Sequence, residues 1–84
     1  MGRYYRLSKK LNDEEAQEIL KEMQDIQNVL NIEITPQRDY MEVETVNDDF
    51  ADAMGKAVNI CRRVAAGCEV SFSRFAVENE KIYQ

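Results

Sequence analysis

Apolar and polar positions recur with two different periods along this chain, and the period switches at recognisable punctuation. Near the start, Tyr5 and Leu7 flank Arg6, a two-residue period that predicts a short strand. Ala16, Ile19, Leu20, Met23 and Ile26 then recur at three and four residues, the single apolar stripe of an amphipathic helix. Its start is marked by Asn12, a residue type that caps free backbone N–H groups. Glu15, three residues on, has the spacing to return the bond.

The period returns to two on either side of Thr35-Pro36-Gln37-Arg38-Asp39, which holds the lone proline and reads as a turn. Leu30, Ile32 and Ile34 are expected on one face, with Asn31 and Glu33 on the other. After the turn, Met41 and Val43 alternate with Glu42 and Glu44, so a β-hairpin with one buried face is predicted. A second helical stripe follows through Phe50, Ala53, Met54, Ala57, Ile60, Cys61 and Val64. Asn47-Asp48-Asp49 is expected to cap it, Arg62-Arg63 suits its negative end, and Gly67 is the expected stop. A last strand is predicted where Cys68, Val70 and Phe72 alternate with Glu69 and Ser71.

The order is therefore β-α-β-β-α-β. With right-handed crossovers this gives an α+β, ferredoxin-like sandwich, two helices on one face of a four-stranded antiparallel sheet. Eighty-four residues make one domain, expected over residues 1–75, with 76–84 a polar tail expected to be frayed or disordered.

Charge narrows the function classes. A net charge of −5 opposes nucleic acid and anionic membranes and suits a basic protein surface or cations. RNA readers of this fold put aromatic and basic residues on the third strand; Tyr40–Glu44 offers one aromatic and two acids, so RNA binding is rejected. No apolar run is long enough to span a bilayer, and the opening residues carry no stretch resembling a signal peptide; the expected location is cytoplasmic. The chain has no histidine and no glycine-rich phosphate loop, so it is read as non-enzymatic and without a cofactor.

Three groups of side chains remain as candidates for chemistry. Cys61 falls mid-stripe and reads as core. Cys68 falls at the sheet edge near Lys9–Asn12; it is a weak candidate metal ligand or redox thiol, weighed against a side chain facing the core. Glu14, Glu15, Glu18, Glu22 and Asp25 share an arc of roughly 100° on the first helix. This stripe is either a solvated outer face or a docking surface for a basic partner.

The element order, the size and the segment Tyr5-Arg6-Leu7-Ser8 leading to Ala16 and Ile19 resemble the heavy-metal-associated domain. That family comprises copper chaperones and the N-terminal modules of metal-transporting ATPases. The likeness spans roughly residues 3–73 and rests on apolar spacing. Family members bind Cu(I) or Zn(II) through a CxxC motif at the start of the first helix. Aligned on Ala16 and Ile19, those two positions are Asn12 and Glu15 here, with Lys9 and Lys10 before them. The resemblance thus implies a protein-interaction or regulatory module linked to heavy-metal transport, with the metal-binding thiols missing. The alternatives are a residual metal carrier using Cys68 and a small-molecule-sensing regulatory domain that dimerises edge to edge.

Overall fold

The computed structural model describes residues 2–76. In chain order the elements are β1 (Gly2–Leu7), α1 (Asp13–Gln24), β2 (Val29–Ile34), β3 (Tyr40–Thr45), a single 3₁₀ turn (Val46–Asp48), α2 (Phe50–Val64) and β4 (Val70–Ala76). The strands form one sheet in the order β2-β3-β1-β4, every pair antiparallel. This is the expected ferredoxin-like architecture. The expected tail at 77–84 lies outside the described residues, and β4 runs one residue past the expected domain boundary.

Alternation dictates which face is covered. Tyr5 and Leu7 of β1, Ile32 of β2, and Met41, Val43 and Thr45 of β3 are buried. They meet Ala16, Ile19 and Met23 of α1 and Phe50, Ala53, Ala57 and Cys61 of α2 in one continuous core. The Thr45 hydroxyl is buried there with no hydrogen-bond partner.

Three local expectations need correction. Leu30 does not share the buried face of Ile32 but is 64% exposed. The β2–β3 ladder shifts register between Val29 and Asn31, so Leu30 is an extra residue opposite no partner and the alternation restarts beyond it. On β4, Cys68 is buried but precedes the strand, whereas Phe72 is 48% exposed. β4 lies at the sheet's end, and every residue from Ser71 to Phe75 is exposed, so helix α2 covers only its beginning. The cap of α2 also differs. Asn47 and Asp48 take left-handed backbone angles in the 3₁₀ turn, and Asp49 stands at the cap without a side-chain bond to the helix. Asn28 holds it from outside, donating from Nδ2 to the Asp49 carbonyl at 3.2 Å.

Candidate functional site

The segment from β1 into α1 is held on both sides. Ser8 and Glu69 exchange bonds, Ser8 N–H to the Glu69 carbonyl (2.9 Å) and Glu69 N–H to Ser8 Oγ (2.8 Å). From the hairpin side, Leu11 N–H donates to the Arg38 carbonyl at 3.0 Å, and the Arg38 side chain reaches Asp13. Leu11 is buried between these ties. They leave an open cleft of about 540 Å³ lined by Lys10, Leu11, Asn12, Asp13, Glu14, Pro36 and Arg38.

At the head of α1 the expected capping box is complete. Asn12 Oδ1 accepts from Glu15 N–H at 2.8 Å, and Glu15 Oε1 accepts from Asn12 N–H at 3.0 Å. Each side chain thus satisfies a backbone donor that the first turn leaves without an intrahelical partner. As metal ligands the pair fits poorly. One is a neutral amide, the other a hard carboxylate already committed to the backbone, and neither suits a soft ion such as Cu(I). Lys9 and Lys10 beside them disfavour any cation.

Both thiols lie inside the core, at 0% exposure. Burial pushes the Cys61 thiol up to about 12, with the neighbouring Cys68 adding to the effect. Cys68 does come to the Ser8 side of the sheet, as its position in the topology predicts, but its sulfur is turned inward, 3.8 Å from the Glu69 carbonyl. A thiol must be a thiolate and reachable to bind an ion. Among the described residues no group of three or more His, Cys, Asp or Glu is placed to hold a metal.

The acidic stripe of α1 is divided by its neighbours. Glu15 belongs to the cap. Glu22 reaches across to Arg63 of α2, and that bond holds its carboxyl below the usual range. Glu18, bonded to Glu22, is pushed the other way: sharing a proton with the ionised neighbour favours its protonated form. Glu14 and Asp25 point to solvent. The five acids therefore share an arc without acting as one surface, because Arg63 neutralises its centre.

One cluster escaped the sequence reading. The Arg3 guanidinium sits 4.1 Å from the Phe50 ring centroid, 5.4 Å from Phe75 and 5.7 Å from Phe72. Phe72 meets Tyr5 and Phe75 edge-on, at 5.9 and 5.1 Å. The only signal was parity, since Arg3 falls in the odd-numbered series of Tyr5 and Leu7 that faces the helices.

Fold and site together define an α+β ferredoxin-like module whose helix-start loop is closed by a cap. No helix among the described residues is long and apolar enough to cross a membrane. No protein-family profile matches the chain, and no curated protein matches it in sequence. Among solved structures it is similar to the yeast copper transporter domain Ccc2a, known in apo and Cu(I)-loaded states. The TM-score is 0.68 and the identity 13%, over 89% of this chain and 97% of the yeast domain. The shared property is the fold.

Proposed function

We propose that this chain is a non-enzymatic module of heavy-metal-associated type, used for protein interaction or regulation in a metal-transport setting, and not itself an ion carrier. The yeast domain's likeness supports the setting through the fold alone. The observation that carries the reading is the reciprocal Asn12–Glu15 box, which stands where the resemblance aligns the family's two thiols. A loop that would present ligands here secures a helix start instead. The buried thiols favour the same conclusion over a carrier built on Cys68.

The contact surface is the exposed acidic part of α1, Glu14 and Asp25, meeting a basic partner; such charges act mainly on association rate and selectivity. Reversing Glu22 tests the fold instead, because it also breaks the bond to Arg63.

Titration of the reduced protein with Cu(I) against a competing chelator tests the first half. Competition no stronger than that of a Cys68→Ser variant is expected; a clear excess over that variant overturns the reading. For the second half, Glu14→Lys with Asp25→Lys is expected to weaken capture of a basic partner in a salt-dependent way. Unchanged affinity removes α1 from the contact.

A further inference from the structure

We propose that β4 is the seam of a symmetric dimer, with a second copy of this chain pairing antiparallel along the outer edge of that strand. The proposal stands apart from the metal-transport reading and rests on three features of β4.

The strand ends the sheet, so among the described residues no strand lies beyond it. An edge with no further strand is a template for another chain unless charge, proline or a cover blunts it. β4 carries no proline, no lysine and no acid along Val70–Ala76. Its one charged side chain, Arg74, has its guanidinium 4.2 Å from its own Tyr4 ring.

The strand also exposes apolar surface on the helix side. Phe72 and Phe75 are 48% and 51% exposed. Phe72 borders an open groove of about 460 Å³ between β4 and the start of α2, lined by Arg3, Tyr5, Phe50 and Met54 among others. Phe75 borders a smaller hollow beside it with Arg3 and Phe50. Exposed aromatics grouped in this way mark an interaction surface, whereas a lone exposed apolar residue does not.

The third feature selects the occupant. The β1–β4 ladder pairs Tyr5 with Phe72 and Tyr4 with Arg74, which leaves Ser73 as a bulge residue. That extra residue puts Phe72 and Phe75, three apart, on the same face. If the two-fold axis passes between Ser73 and Arg74, Phe72 comes opposite Phe75 of the second copy, and Phe75 opposite its Phe72. Ser71 and Ala76 pair likewise on the open face, and Ser73 opposes Arg74. The pattern is self-complementary, as an isologous interface requires. The other edge offers no such match. Its open face already sets Glu33 of β2 opposite Glu42 of β3, and a β2–β2 seam would add the second copy's Glu33 to that like charge.

At roughly 200 Å² per phenylalanine, half-exposed rings from two copies hide only about 400 Å² of apolar surface. With the strand edges the interface reaches about 1,000 Å², the low end for specific association. The dimer is therefore weak and reversible. Each copy carries −5, so moderate salt strengthens it by screening repulsion.

Sedimentation of the full chain from about 10 μM to about 1 mM tests this, the range where weak complexes form. The expected mass climbs from 9.8 kDa towards twice that value. Phe75→Lys should raise the midpoint concentration at least about tenfold. Backbone amide shifts of the native chain on dilution should cluster in β4, Arg3 and Phe50, which keeps the test informative if the variant folds poorly. A mass that stays at 9.8 kDa throughout overturns the proposal. So does a Phe75→Lys protein that associates like the native one, or dilution shifts centred on β2, α1 or the open sheet face.

Discussion

Removing the Asn12 side chain tests the reading of the helix start most directly. Asn12→Ala leaves the Glu15 N–H without its acceptor, while the Glu15 carboxylate keeps its bond from the backbone N–H of residue 12. Loss of such a cap costs about 1 kcal/mol, with observed cases between roughly 0.5 and 2. In a domain of this size that lowers the melting midpoint by about 4–8 °C per kcal/mol. Asn12→Gly should cost only a few tenths, because water then reaches the N–H groups. The expected order of stability is therefore native, then Gly, then Ala. Urea denaturation followed by circular dichroism gives the free energies, with slopes checked to be equal so that the difference is one of stability. Glu15→Ala completes a double-mutant cycle; because the two bonds share one turn, the losses should not add. Pairing Asn12→Cys with Glu15→Cys should weaken the apo fold and gain Cu(I) binding, with the metal restoring stability by mass action. Two results refute the reasoning. One is an Asn12→Ala protein as stable as native. The other is a native protein that takes Cu(I) as tightly as the two-cysteine variant.

Further expectations follow from the core and its ion pairs. Ile32→Ala should cost about 2–5 kcal/mol and Leu30→Ala under about 0.5, measured by the same denaturation; equal losses would mean that no bulge separates them. Thr45→Val keeps the shape and removes a buried hydroxyl that lacks a partner, so it should stabilise by about 1 kcal/mol, and a loss would reveal a hidden bond. A thiol reagent at neutral pH should label neither cysteine in the folded protein and both after denaturation; rapid labelling of Cys68 in the native state would reopen its candidacy as a ligand. Glu22 and Glu69, held low by Arg63 and Arg62, contribute stability that is present above their ordinary pKa of 4.5 and lost as pH falls through the folded values. Glu18, raised, opposes this, since its contribution is present below 4.5 and lost as pH rises through its folded pKa. An Arg63→Met protein should therefore show a shallower acid limb in a stability–pH profile, and an unchanged limb would remove the Glu22 bond from the account.

Element type, element order and the helix-start box were all legible in the sequence. Each depends on spacings of two, three or four residues, and those local geometries are the same in any fold. What failed was also local, but its cause was remote. The sequence cannot show the bulge at Leu30, because alternation continues through it unbroken; only the pairing with β3 exposes the extra residue. The acidic stripe reads as one surface on an isolated helix, and it takes α2, forty-one residues away, to bring Arg63 against Glu22 and split it. The thiol of Cys68 lies at the edge that topology predicts, yet its direction was a matter of packing, and the core took it. The aromatic seam on β4 likewise exists because α2 covers the start of that strand and not its end. Sequence alone determined the elements, because hydrophobic periodicity is a property of neighbours along the chain. Tertiary structure decided which surfaces remain for function, because exposure and charge pairing depend on what another part of the chain places against them.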